Sequence, residues 1–349
     1  EKIAICGDYD ADGITSTTLL YEVLNELNAL PLPIIPNRIN DGYGLNEKII
    51  RKLYSDGIKL IITVDNGVSA LPALRLASEF NIDIILSDHH KINYALDSIF
   101  ALIHPETTPR NSPYKSLAGV GLAYIIGTEL ARSFSNIVSI RNSLDYFCIG
   151  TIADMSSLLG ANRFLLKQGI NNITHTQSKG LLHLQKVAGV SKKRLSSEDI
   201  SFKIAPRINS IGRIADPNVI INLLTEQNDK KISEISEYCE KINTQRKLIC
   251  NQVQDEALSL ITDSKNINPF ILVFHETWHA GVIGIVAARI VEIFNRPTAV
   301  LTSDSSGYIR ASARSPKGFN LIKALEDCSD LLETYGGHPA AAGFTIKPL

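Results

Sequence analysis

The sequence predicts an α/β protein: a doubly wound, mainly parallel sheet joined by a helical connector to a smaller α/β domain. Three observations carry this. Short β-branched apolar runs alternate with helix-length stretches through the first 160 residues. Those runs are continuous rather than alternating, as in strands covered on both faces. A second, shorter alternation returns near Pro269, after a helical middle. A length of 349 residues suits about two domains with a linker.

In chain order, strands are predicted at Ile3–Cys6, Ile34–Pro36, Leu60–Val64, Ile82–Leu86 and Ile99–Ile103, with helices at Thr15–Leu27, Glu47–Tyr54 and Ala70–Phe80. From Arg163 to Arg213, ten Lys/Arg face only two acids, Glu198 and Asp199, a local +8 in a chain whose total is −1. Ile232, Ile235, Cys239, Ile242, Ile249 and Val253 then recur at helical spacing, which predicts an amphipathic connecting helix. Beyond it, Phe270–Phe274, Ala299–Thr302 and Tyr308–Ala313 read as strands, Val282–Phe294 as a helix and Gly336–Phe344 as a glycine-rich loop. The expected division is 1–175, a basic helical connector over 176–262, and 263–349.

Composition narrows the class. A hydrophobic fraction of 44% excludes a disordered chain. With 35 cations against 36 acids, any nucleic acid must be held by a local patch. No apolar run reaches the roughly 18 residues that span a bilayer, and no basic-then-apolar leader opens the chain. Five scattered cysteines without a CxxC pair speak against zinc ribbons and disulfide scaffolds, so a cytoplasmic protein with no membrane contact is expected. A chain that opens on Glu1 and runs straight into a strand is expected to be a trimmed core.

The chemistry concentrates at strand ends. Gly7-Asp8-Tyr9-Asp10-Ala11-Asp12-Gly13 follows the first strand, and its three carboxylates at alternate positions would point one way if the segment is extended. An acidic turn or a helix N-cap is the plainer alternative. Asp65-Asn66-Gly67 follows the third strand, Ser87-Asp88-His89-His90 the fourth, and Asp154 closes Gly150-Thr151-Ile152-Ala153-Asp154. Parallel sheets place their sites at that edge. Clustered carboxylates repel unless a divalent cation sits among them, and mixed Asp/His donors favour manganese over magnesium. Two ions bridged by a shared carboxylate would make a phosphoester-hydrolysing site.

These four motifs, in this order, resemble those of the DHH phosphoesterases. The first has the form of the RecJ branch, the single-stranded-DNA-specific exonucleases. Gly336-Gly337-His338-Pro339-Ala340-Ala341-Ala342-Gly343-Phe344 resembles the signature of the DHH-associated C-terminal domain, and further stretches (36–45, 117–124, 205–213, 278–289 and 312–315) extend the likeness over nearly the whole chain. The resemblance implies Asp10, Asp12, Asp65, His89 and Asp154 as ligands of two divalent cations, manganese preferred or magnesium, with Asp65 bridging. Asp8 is then a supporting acid or a ligand of the second ion, and His90 a non-ligand histidine facing the phosphate, so that His90, Asp65 and Asp8 carry the catalysis. Cys6 stands where relatives outside the RecJ branch carry a ligand histidine.

A phosphate also needs cationic and N–H donors. Arg38, Arg207, Arg213, Ser312, Arg314 and His338 are the candidates, with Gly336 and Gly337 allowing close backbone approach. His279 is a candidate supporting or DNA contact, and Tyr43, Phe202 and Tyr308 are candidate stacking platforms, though core packing suits each. The function implied is a metal-dependent 5′→3′ exonuclease that hydrolyses single-stranded DNA to 5′ mononucleotides in repair and recombination. It would act as a monomer beside a single-strand-binding protein or a helicase. The alternative is a small-substrate DHH phosphodiesterase of the nano-RNase or cyclic-dinucleotide type; a non-catalytic nucleic-acid scaffold is disfavoured by the intact ligand set. RecJ proteins commonly continue into an OB-fold, so this chain is either truncated or built without that module.

Overall fold

The computed structural model describes residues 2–37, 44–136, 140–190, 195–262, 267–304 and 306–347. The chain divides into two compact units, Glu1–Asn243 and Thr244–Leu349. In the first unit, β1 (Lys2–Cys6), β2 (Leu30–Ile34), β3 (Leu60–Val64), β4 (Asp83–Ser87) and β5 (Ala101–Ile103) form one sheet in the order β2-β1-β3-β4-β5. Every pairing is parallel. The chain leaves β1 for β2 on one side and returns to β3 on the other, so the switch point of the sheet lies between β1 and β3.

Five helices cover this sheet: α1 (Ala11–Glu26), α2 (Glu47–Ser55), α3 (Leu71–Glu79), α4 (Gly119–Ser133) and α5 (Ser143–Ala153). Successive residues of a strand face opposite ways. Ile3, Ile5, Ile62 and Val64 therefore pack with α1, α4 and α5, while Ala4, Cys6, Ile61, Ile84 and Leu86 pack with α2 and α3. That two-sided burial is why the strands read as unbroken apolar runs.

The largest departures from the sequence reading are at the second strand and the first helix. The second strand is Leu30–Ile34 rather than Ile34–Pro36, although it contains Pro31 and Pro33. It is an edge strand paired only with β1, and prolines at alternate positions leave its ladder to that one neighbour intact. The first helix begins at Ala11, four residues before the expected Thr15. Asp10 is its N-cap, accepting from the backbone N–H groups of Asp12 and Gly13 at 2.9 and 3.1 Å. The three carboxylates thus lie on a loop, a cap and a first helical turn, not on one extended segment.

The basic middle folds as α6 (Gly160–Gly169), α7 (Lys179–Val187), α8 (Ser197–Asp199), a π-helical turn at Ile200–Ile204, α9 (Ala205–Ile214) and α10 (Asn218–Thr225). Leu181, Leu184, Ile200, Ile204, Ile208, Ile211, Ile220 and Leu224 join the core formed by α1, α4 and α5. The division between the units falls inside α11 (Asp229–Thr262).

The second unit contains β6 (Ile271–Phe274), α12 (Ile283–Phe294), β7 (Thr298–Ser303), β8 (Ile309–Arg314), α13 (Leu321–Glu326), β9 (Thr334–His338) and β10 (Ala341–Ile346). Its sheet has the order β6-β7-β8-β10-β9, parallel between β6 and β7 and antiparallel elsewhere. The expected glycine-rich loop is instead the hairpin of β9 and β10, with His338 ending the first strand. Glycines remove the side-chain alternation by which a strand is read, so the pattern gave no strand signal there. No helix among the described residues is long and apolar enough to cross a membrane.

Candidate metal centre and a second polar strand end

The carboxyl ends of β1, β3 and β4 gather the predicted acids and histidines at the switch point. Ligand atoms of Asp8, Asp10 and Asp65 lie within 4.8 Å of one another, as do those of Asp12, His89 and Asp154, and those of Asp65, His89 and His90. Asp65 and His89 each belong to two of these groups. Asp65 follows β3 with φ of 62°, the left-handed region that a residue with a Cβ seldom adopts. Such a conformation persists only where the surroundings impose it, and it concentrates at functional sites. Here the Asp65 N–H donates to the Ser87 carbonyl at 3.1 Å, and the next side chain, Asn66, donates to the carbonyls of Cys6 and Val64 at 2.9 Å each. Asn66 therefore ties the ends of β1 and β3 together beneath the site.

Asp12 is held from far along the chain. Its two carboxylate oxygens accept from the backbone N–H groups of Gly119 and Val120, each at 2.8 Å. The N-cap residue of α4, Ala118, supplies no side-chain hydrogen bond of its own, so Asp12 caps that helix in its place. Gly119 must be glycine for this approach, because an added Cβ would stand 2.5 Å from the Asp65 Cβ.

Asp88 is used differently from its neighbours. Oδ1 accepts from the backbone of His89 and His90 at 2.7 and 3.0 Å and from His90 Nδ1 at 2.8 Å, while Oδ2 accepts from Val68 N at 3.1 Å. It shapes the loop and orients His90. A carboxylate is an acceptor only, so His90 carries a proton on Nδ1 and presents Nε2. Burial alone would lower the His90 pKa. The Asp88 hydrogen bond and charge, with the Asp8 and Asp154 charges, overcome this and raise it to about 9. His104 supports the same loop: its Nδ1 accepts from Glu106 N at 3.0 Å, which leaves Nε2–H to donate to the His90 carbonyl at 2.8 Å. Asp154 does not follow a strand; it caps the end of α5, with the Ser156 hydroxyl donating to it.

The donor set fits divalent cations. Asp65 is 2% exposed. Burial, together with the charges of Asp12, Asp10 and Asp8, pushes its carboxyl well above the usual range, and burial with Asp154 and Asp10 does the same to Asp12. Burial lowers His89, leaving a neutral imidazole suited to ligation. Asp65 Oδ1 and His89 Nε2 stand 3.0 Å apart, yet neither makes a hydrogen bond among the described residues. Buried polar atoms aimed at one another without bonding are what a shared cation would satisfy.

The cationic candidates separate. Arg38 and the stacking candidate Tyr43 lie outside the described residues. Arg207 does not join the site: it is 8% exposed, with Nε donating to Glu240 and Nη1 to the Lys203 carbonyl at 2.6 Å. Lys179 and Lys203 are likewise paired, with Asp229 and Asp199. Arg213 lies in α9, and that helix docks on the first motif: Asn209 Oδ1 accepts from Ala11 N at 2.7 Å, and an added Cβ at Gly212 would stand 2.0 Å from the Tyr9 carbonyl oxygen. Phe202 is exposed, while Tyr308 is half-buried.

In the second unit, the sheet register aligns the remaining candidates. Arg314 pairs with Ala341, which pairs with His338; Ser312 pairs with Gly343, which pairs with Gly336. Directly paired residues share a face. Arg314, Ser312 and His338 therefore flank a floor of Ala341, Gly343 and Gly336, and a Cβ at Gly336 would meet nothing within 4 Å. Gly337 belongs to the row between, with Ala313 and Ala342, on the face covered by the core around α13. The start of α12 closes one side, since a Cβ at Gly284 would stand 2.7 Å from Ser312 Oγ. His279 instead braces the loop before α12, accepting from Gly281 N at 3.0 Å.

Fold and site together define an α/β protein with an acidic, histidine-bearing cation centre at a sheet switch point. Residues 2–151 match the N-terminal domain of the DHH family, and residues 266–349 match the DHHA1 domain. It is similar to the single-stranded-DNA-specific exonuclease RecJ of Bacillus subtilis, 37% identical over 99% of this chain and 44% of that protein. It is similar also to RecJ of Escherichia coli, 34% identical over 99% of this chain and 63% of that protein. It thus spans only part of these relatives' length. Among solved structures, an exonuclease RecJ bound to manganese is 29% identical with a TM-score of 0.85, over 99% of this chain and 86% of that one.

The sequence reading missed Asn209, His104, Ser156 and the N–H groups of Gly119 and Val120. Glycine is the one signal among them, as a mark of close backbone approach. Asp88 was visible as a motif letter, but its role as an acceptor for four donors was not.

Proposed function

We propose that this chain is the catalytic part of a metal-dependent 5′→3′ exonuclease that hydrolyses single-stranded DNA to 5′ mononucleotides. The observation that carries the reading is the unbonded Asp65 Oδ1 and His89 Nε2 pair, buried among Asp8, Asp10, Asp12 and Asp154. The similar RecJ proteins, one of them solved with manganese, support the substrate and the cation. Asp10, Asp12, Asp65, His89 and Asp154 would hold two divalent cations, manganese preferred or magnesium accepted, with Asp8 completing the second site. Bound there, the cations would polarise the scissile phosphate and lower the pKa of an attacking water. Asp65 sets the spacing of the two sites, and Asp88 holds His90 so that its Nε2 can donate to a phosphate oxygen. Arg213 contributes charge from α9, while Ser312, Arg314 and His338 form an anion seat in the second unit, with the 5′ phosphate as its occupant.

An unpaired substrate calls for a single-strand-binding protein or a helicase as companion. The free cysteines, four of them buried, support a reducing cytoplasm. The test uses a 5′-phosphorylated, 3′-labelled oligonucleotide with manganese. Shortening from the 5′ end, with blunt duplex and circular single strands resistant, is the expected result. Efficient digestion of circles, or hydrolysis of cyclic dinucleotides alone, overturns it.

A further inference from the structure

The segment that follows Asp154 has no place in the reading so far. Met155 is 88% exposed and holds φ of 61°, again in the left-handed region, one residue beyond a proposed cation ligand. Leu158 and Leu159 are exposed, and Phe164 on α6 is 62% exposed. Solvent exposure of so many large apolar side chains within ten positions marks a contact surface. The surface is braced from below. Asn162, fully buried, donates to the carbonyls of Ser157 and Ser116, and the Ala161 N–H donates to the Pro113 carbonyl at 2.9 Å.

The charge beside this surface indicates what covers it. Arg163 and Lys167 are exposed one turn apart on α6, flanking Phe164, and α6 contains no acid. Neither side chain forms an ion pair among the described residues, in contrast to Lys179, Lys203 and Arg207 in the same basic stretch. Cations interleaved with an exposed aromatic suit a single-stranded polynucleotide, whose phosphates and unpaired bases need both. Packing against another apolar protein face would leave two charges to be desolvated.

We propose that Met155, Leu158, Leu159 and Phe164, with Arg163 and Lys167, form a ledge that grips the unpaired strand next to the cation centre: Phe164 stacks on a base, Arg163 and Lys167 hold adjoining phosphates, and Met155 packs on the nucleotide beside the scissile bond. This rests on the exonuclease reading and names the part of its substrate, the bases, that the acidic centre does not touch.

The test measures binding of fluorescent oligo(dT), without divalent metal, by anisotropy. Phe164→Ala should weaken binding about tenfold, and Phe164→Trp should restore it. On an oligonucleotide made abasic throughout, wild type and Phe164→Ala should bind alike. Exchanging Arg163 and Lys167 for Gln should lower the slope of log affinity against log salt by about 0.7 per lost contact. Equal oligo(dT) binding by wild type and Phe164→Ala, while wild type digests strands, overturns the ledge and leaves the exonuclease reading standing. Equal loss on the abasic strand shows a merely structural phenylalanine and overturns it too. A dimer in sedimentation that Phe164→Ala dissociates assigns the face to a second copy and also overturns it. If wild type neither binds nor cleaves single strands, the exonuclease reading falls and the ledge with it.

Discussion

Asn209 accepts the backbone N–H of Ala11 at 2.7 Å, across 198 positions of sequence. Ala11 opens α1, and its N–H is one of the donors a helix start leaves unpaired. A side chain of the basic middle thus completes the first acidic motif. Asn209→Ala should leave the fold intact, with a loss of about 1 kcal/mol. It should weaken the activating manganese affinity by about tenfold, read from activity against metal concentration. An unchanged titration would show that α9 packs on the motif without tuning it.

Asp65 is the carboxylate shared by two ligand groups. Asp65→Asn keeps a side chain that tolerates left-handed backbone but removes a charge. Hydrolysis should be abolished while oligonucleotide binding persists. In EDTA the variant should melt at or above the wild-type temperature, because a repelled, buried charge is gone. Manganese at 100 times its Kd should stabilise wild type by about 2.7 kcal/mol and the variant by much less. Near-normal turnover in the variant sinks the bridging role.

Asp88→Asn should change the chemistry of His90 rather than only its position. With the Asp88 hydrogen bond and charge removed, the His90 pKa should fall from about 9 toward the ordinary value near 6.5. Histidine NMR titration in EDTA reads this directly. A His90 pKa unmoved by the substitution would contradict the pairing.

Asp145 tests the core of the first unit, away from the metal. Burial pushes its carboxyl up to about 6, only partly offset by a Thr176 hydrogen bond. A folded pKa above the unfolded value near 3.9 means that stability is full below about pH 4 and declines as pH rises through about 6. The cost at neutral pH is at most about 3 kcal/mol. Asp145→Asn should therefore melt several degrees higher than wild type at pH 7.5 and no higher at pH 4. A difference that does not vary with pH would assign the effect to packing.

Arg213 and Arg207 stand six residues apart and should behave as opposites. Arg213→Ala should reduce the salt slope of strand binding by about 0.7. Arg207→Ala strands Glu240 and should cost about 1–3 kcal/mol of stability with the slope preserved. Equal slopes for both variants and wild type would make the basic stretch a solvated helical face.

Much of this was legible from residue types. Runs such as Leu60–Val64 and the acids and histidines that follow them announce both the sheet and its active edge. What stayed hidden depends on contacts that carry no residue signature. The N–H groups that hold Asp12 belong to a glycine and a valine, and Asn209 looks like any helix-surface amide. That Asp10 caps α1 rather than lying on an extended segment stayed open, because a helix N-cap and a metal ligand use the same carboxylate. Lys203 and Arg207 counted toward a basic patch because their partners, Asp199 and Glu240, are brought to them only by the fold.

The shared core of the first unit sets where this polypeptide can be cut for expression. A recombinant piece ending near residue 175, where the strand-and-helix alternation stops, would discard Leu181, Leu184, Ile204, Ile208, Ile211 and Leu224 and uncover the apolar surface they seal. It would also discard Asn209, and with it the partner of the Ala11 N–H. Such a piece is expected to be insoluble despite retaining every acid and histidine of the cation centre, whereas one carried through Asn243 keeps the whole core it needs.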